Sequence, residues 1–152
     1  MYKKIVLCIL IIGWMALVFS FSREPSVESA KLSGGITDRI ISFIYSRNKL
    51  SLNRDEVDHI VRKTAHFTLY FAGGVLIFLF FNEYKIKLYE KILYSEGFGM
   101  FYAMTDEFHQ SFVPGRSPQV TDVLLDSLGV LTGIAVTILI LSLINKKYVA
   151  LH

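Results

Sequence analysis

Apolar residues in this chain come in long runs separated by short polar stretches. Ile5 to Phe21 is broken only by Gly13 and Ser20, and Phe71 to Phe81 extends a run that begins near Ala65. Val123 to Ile144 carries a single charge, Asp126. Leu88 to Thr105 is a weaker run, with Glu90, Lys91 and Glu96 near its start. A helix needs about 20 mostly apolar residues to cross the hydrocarbon core. The pattern therefore predicts spans at about 5–21, 64–82 and 123–144, with a fourth at 88–107.

Between the first two runs the pattern changes. Pro25 to Gly35 is rich in Ser and Gly and reads as a loop. Ile36, Ile40, Phe43 and Ile44 recur at helical spacing with Asp38, Arg39 and Ser42 between them. That arrangement predicts a short amphipathic helix lying on the outer leaflet. Asn53 with Glu56 three residues on forms a capping box, and Leu52 with Val57 a hydrophobic staple, so a helix starts here and runs to about Asn82. Ser117-Pro118 is a second start signal, opening the last helix. The expected fold is an all-α integral membrane protein: a four-helix transmembrane bundle in one domain, 1–152, with an external segment at 22–63 and its short amphipathic helix.

Composition agrees with the runs. The 152 residues are 53% hydrophobic and 19% charged, with a mean hydropathy of +0.46. Soluble domains average roughly 45–50% apolar and about 25% charged residues. The net charge of +3 does not point to nucleic acid, because the basic residues flank the apolar runs. One cysteine, Cys8, lies within the first run and can form no internal disulfide. The first run follows a basic start and ends near Ser20-Phe21-Ser22, a conceivable cleavage site, yet it exceeds the roughly 7–15 residues of a signal peptide's apolar region. It is read as an uncleaved helix.

Basic residues in short loops stay cytoplasmic. Lys3, Lys4, Lys85, Lys87, Lys91, Lys146 and Lys147 thus place both termini and the 83–91 connection inside. Segments 22–63 and 106–122 fall outside; the longer one balances its basic residues with Glu24, Glu28, Asp38, Asp55, Glu56 and Asp58.

Polar groups then gather at one level. His59, Lys63, His66 and Tyr70 share a face of the second span, at steps of four, three and four. Asp106, Glu107, His109 and Gln110 close the third, and Asp122, Asp126, Gly129 and Gly133 share a face of the fourth. The glycines form a GxxxG pattern that admits a neighbouring backbone. Ionisable groups inside spans avoid lipid, which predicts an outward-opening crevice holding Lys63, His66, Tyr70, Asp106, Glu107, Gln110, Arg116, Asp122 and Asp126. His109 can point either way.

Ordinary roles compete for several of these residues. Asp122 suits the positive end of a helix dipole, and Lys63 and His66 can snorkel to the interface. Pro114-Gly115 is a tight turn, beside which Arg116 could latch onto Asp122. Asp126, deep in its run, and the Glu107–Gln110 pair exceed what solubility requires.

These residues resemble the VanZ-like family of small membrane proteins. The likeness lies in Lys63-Thr-Ala-His66-Phe67-Thr-Leu-Tyr70, in Asp106-Glu107-Phe-His-Gln110-Ser-Phe112-Val-Pro-Gly-Arg116, and in Asp122 followed by Asp126-Ser-Leu-Gly129-Val-Leu-Thr-Gly133. Gly13-Trp14 through Ser22 is similar to the family's first span. Asp126 stands where the family often has Asn. The family is named for a protein associated with resistance to teicoplanin-type glycopeptides. The resemblance implies a bacterial plasma-membrane protein of the cell envelope and assigns no reaction.

Two classes of function fit. In the first, the crevice binds a lipid headgroup, a lipid-linked envelope component or a glycopeptide, with Lys63, Tyr70, Gln110, Arg116, Asp122 and Asp126 as the binding set. In the second, Arg116 and Lys63 hold a phosphate while Glu107 or Asp106 acts as general base and His66 as acid, making a hydrolase or transferase. Membrane lipids are expected partners, nucleic acid is not, and enzymatic activity is left undecided. No cofactor is expected. A divalent metal among Asp106, Glu107, Asp122, Asp126 and the histidines stays open, although no HExxH or similar ligand spacing is present.

Overall fold

The structure, a computed structural model, describes residues 2–23, 26–48, 52–116 and 119–149. Five helices follow one another: α1 (Tyr2–Ser22), α2 (Ser26–Asn48), α3 (Arg54–Asn82), α4 (Leu88–Gln110) and α5 (Val120–Val149). No strand occurs among the described residues. Three helices are long and apolar enough to cross a membrane, namely Tyr2–Ser22, Arg54–Asn82 and Val120–Ile144. The expected fourth, α4, is not among them. Its 23 residues reach about 34 Å at 1.5 Å per residue, so length is sufficient. Its charges at Glu90, Lys91, Glu96, Asp106 and Glu107 lower its hydropathy.

Side-chain contacts give the helix directions. At one end of the bundle, Lys3 of α1 pairs with Glu83 just past α3, and Lys91 of α4 donates to Asn82 of α3 at 2.8 Å. Toward the other end, Tyr102 of α4 donates to the carbonyl of Met15, and Arg116 reaches the carbonyl of Phe21. Hence α1 and α4 run together, opposite to α3. Asp122 and then Asp126 of α5 meet Lys63 and then His66 of α3, so α3 and α5 run parallel. Two consecutive parallel helices need a return between them, and α4 supplies it.

The parallel pair packs backbone to backbone. A Cβ on Gly133 would run into the carbonyl oxygen of Phe71, and one on Gly129 would stand 2.7 Å from that of Phe67. From the opposite side, a Cβ on Gly74 would meet the backbone of Val130. The GxxxG expectation is thus realised in a two-sided fit. Lipid tails are as apolar as side chains, so close packing of this kind is a main source of helix association in bilayers.

Trp14 anchors α1. Its ring covers Gly73, its indole N–H donates to the carbonyl of Leu69 at 2.8 Å, and it meets Tyr70 edge-on at 5.7 Å. With Val18, Ile77, Phe78, Val130 and Ile134 it forms the buried core.

Asn53 caps α3 as expected, its side chain accepting the N–H of Asp55 at 3.1 Å, while Glu56 stays exposed. The loop reading of Pro25 to Gly35 is overturned from Ser26 onward. These residues are the first half of α2, which has 23 residues and so is not short. Small side chains here serve contact rather than turning. Ser33 and Thr37 are buried against α3, where both donate to Oδ1 of Asp58. Arg62 grips the other oxygen of Asp58 at 3.3 Å. Ile36 and Phe43 are 56% and 63% exposed. The proposed start signal at Ser117-Pro118, Pro25, and the side chains of Lys146 and Lys147 lie outside the described residues.

Candidate functional site

At the end where α1 and α4 finish, the helices part around a crevice of about 500 Å³. Lys63 and His66 of α3, Glu107 and Gln110 of α4, Arg116, and Asp122 and Asp126 of α5 all line it. Seven of the nine residues expected in a crevice are therefore on its wall. Asp106 and Tyr70 lie beneath it. Asp106 is 4% exposed and Tyr70 fully buried, while the Asp106 carboxylate stands within 4.8 Å of ligand atoms on His66 and Asp126. His109 faces away: its ring stacks on Phe19 of α1, centroids 4.6 Å apart.

The Gly115 turn shapes one wall. Arg116 N–H returns to the carbonyl of Val113 at 3.2 Å, with Pro114 second and Gly115 third in the turn. Gly115 has φ 77°, a conformation that side-chain-bearing residues rarely adopt. The turn carries Arg116 back over α4. There its Nη1 donates to Oε1 of Gln110 at 3.0 Å, and Nε2 of Gln110 donates to Oδ2 of Asp106 at 3.0 Å. An arginine at the surface is thereby coupled through one amide to a buried carboxylate.

The expected latch between Arg116 and Asp122 is replaced. Asp122 instead accepts from Lys63 Nζ at 2.7 Å, because the parallel packing of α3 and α5 sets these two side chains at one level. Glu107 accepts the backbone N–H of Gln119 and so ties the end of α4 to the approach of α5. His66 Nδ1 lies 3.8 Å from Oδ2 of Asp126.

Arg62, Gln119 and Ser33 also line the crevice but were not anticipated. The i,i+4 spacing of Asp58 and Arg62 is visible in the sequence. Its proximity to the site depends on the docking of α2 through Ser33, which lies in the stretch expected to be loop, and Thr37. Apolar residues complete the wall: Phe21, Ile36, Ala65, Leu69 and Leu125. The result is an amphipathic cavity lined by cations, carboxylates and apolar side chains.

The fold and this cavity define a helical protein, rich in membrane-crossing candidates, with an ionisable site at one end of its bundle. The chain belongs to the VanZ/LLP1 family, whose model matches residues 7–142, from within α1 to within α5. No curated protein sequence and no solved structure matches the chain.

Proposed function

We propose that this VanZ/LLP1-family chain is a four-span bacterial plasma-membrane protein whose crevice, at the outer face, binds the headgroup of a lipid or lipid-linked envelope component. Through that binding it affects the envelope's response to teicoplanin-type glycopeptides. The observation that carries the reading is the mixed wall of the crevice. Arg62, Lys63 and Arg116 offer charge-assisted donors suited to phosphate, and Phe21, Ile36 and Leu125 suit the first carbons of an acyl or prenyl chain.

The ends of the bundle support this orientation. Opposite the crevice, Lys3 pairs with Glu83, Lys4 lies over Tyr84, Lys91 donates to Asn82 and Lys87 lies over Tyr89, and clustered basic residues in short loops favour the cytoplasm. The crevice then faces outward. Because α3 and α5 are parallel, a bilayer holding both also holds α4, whose charged end residues face protein rather than lipid. Exposed Ile36, Ile40 and Phe43 on α2 suit contact with the outer leaflet.

The enzymatic alternative is favoured by one observation: Glu107 and His66, an acid–base pair in kind, line the same cavity as the cations. Separate Arg116→Lys and Glu107→Gln variants distinguish the two, in a strain where the protein alters glycopeptide susceptibility and at matched membrane levels. The Gln oxygen still accepts the N–H of Gln119, so that substitution removes charge with little loss of structure. Under the binding reading Arg116→Lys loses the phenotype and Glu107→Gln retains it. Loss with Glu107→Gln alone transfers support to catalysis. Full function in both overturns the shared site.

A further inference from the structure

We infer that His66, Asp106 and Asp126 form a binding site for one divalent transition-metal cation, Zn2+ or Mn2+, in the floor of the crevice. Each residue comes from a different helix, and their ligand atoms all lie within 4.8 Å of one another. Ligand atoms around a four-coordinate ion with bonds of about 2.1 Å stand roughly 3.4 Å apart. An ion would therefore draw the three groups inward by about 1 Å, within reach of side-chain rotation.

Orphaned atoms point to the same centre. Asp106 and Asp126 are each 4% exposed, yet Oδ1 of each has no hydrogen-bond partner. The hydroxyl of fully buried Tyr70 lies against Asp106 but outside hydrogen-bond geometry. Buried polar atoms are otherwise nearly always satisfied, so a bare oxygen on each of two buried carboxylates needs an explanation. A proton on His66 answers Oδ2 of Asp126, at 3.8 Å, and leaves both Oδ1 atoms unmet. A divalent cation meets both and balances the two carboxylate charges.

The remaining groups fit this assignment. Oδ2 of Asp106 is fixed by Gln110, which is fixed in turn by Arg116, the outer-shell support that ligating carboxylates usually have. One imidazole with two carboxylates suits Zn2+ or Mn2+ better than Ca2+, which takes oxygen donors, or Cu+, which prefers sulfur. His66 and Asp126 also line the crevice, so a fourth coordination position would face the cavity, the open arrangement of sites that bind or activate a ligand. The ligands are scattered over three helices, 40 and 20 residues apart in sequence. No local motif could announce them.

The test uses full-length protein carrying Cys8→Ala and a histidine-free tag, stripped with EDTA in detergent. Zn2+ is titrated by calorimetry and Mn2+ by electron paramagnetic resonance. One equivalent should bind, and the melting temperature should rise by several degrees with metal. His66→Gln and Asp126→Asn should each weaken binding at least about tenfold; Glu56→Gln, exposed on the first turn of α3 and away from the crevice, should bind as the parent does. If Asp126→Asn does not fold, Gln110→Ala, which removes only outer-shell support, should weaken binding measurably. Absence of stoichiometric binding, or unchanged affinity in His66→Gln and Asp126→Asn, overturns the site. Metal is read directly, so this result is separate from the headgroup reading, which rests on Arg116.

Discussion

Lys63 Nζ and Asp122 Oδ1 stand 2.7 Å apart, joining the parallel helices α3 and α5 at the wall of the crevice. Both are partly solvated, and pairs of this kind contribute about 0–1 kcal/mol to stability. The two partners therefore differ in function more than in structure. Asp122→Asn releases Lys63 and should increase retention of an anionic phospholipid through detergent exchange, read by native mass spectrometry. Lys63→Met should decrease it. Both variants should melt within a few degrees of the parent.

The glycines of the α3–α5 seam should be the least replaceable positions in the chain. Gly133→Val drives a side chain into the carbonyl of Phe71, whereas Gly97 has nothing within 4 Å of an added Cβ. Overpacking typically costs about 1–3 kcal/mol, and more where backbone blocks relaxation. Gly133→Val should lower the midpoint of unfolding in SDS sharply, and Gly97→Val should leave it near the parent's value.

Trp14 is the sole tryptophan and is buried, so its fluorescence reports the docking of α1. Gly73→Leu would displace its ring. Emission should shift to the red, or become accessible to a water-soluble quencher, without loss of helical circular dichroism.

Asp58 joins α2 to α3 through Ser33, Thr37 and Arg62. Asp58→Ala strands these donors at a buried contact, a loss of about 1–3 kcal/mol. Hydrogen exchange should accelerate along 33–47 while the amides of α5 keep their protection.

Orientation is checked by cysteine labelling in a Cys8→Ala background. A cysteine at Gln119 should react with an impermeant thiol reagent added to intact cells, and one at Lys85 only after the cells are opened. Labelling at Gln119 only after opening would invert the site to the cytoplasm.

Much of this architecture is legible in the apolar runs. Those of α1, α3 and α5 are long enough to declare themselves, and the steps of three and four that align Lys63 with His66 or Asp122 with Asp126 transfer directly to helix faces. What escaped reading depends on contacts between distant segments. The small residues Ser33, Gly34 and Thr37 suit a turn as well as a helix interface, and only Asp58 opposite them decides. The partner of Asp122 likewise followed from helix direction: an antiparallel pairing would have placed Lys63 at the far end of α5. Spacing groups Tyr70 and Asp106 with the crevice residues, but whether a side chain lines a cavity or supports its floor depends on depth, which spacing does not encode.

The parallel course of α3 and α5 also sets an order of assembly. The closest seam in the molecule cannot close until α4 has been made and α5 follows it out of the ribosome, so a nascent chain passes through a stage in which Gly74 has no backbone packed on it and Glu107 lacks the N–H of Gln119. The α3 face of the seam is thus made well before the helix that covers it. Chains stalled before residue 120 would leave Asp106 without the Asp126 it adjoins and Gly74 without the backbone of Val130 that packs on it.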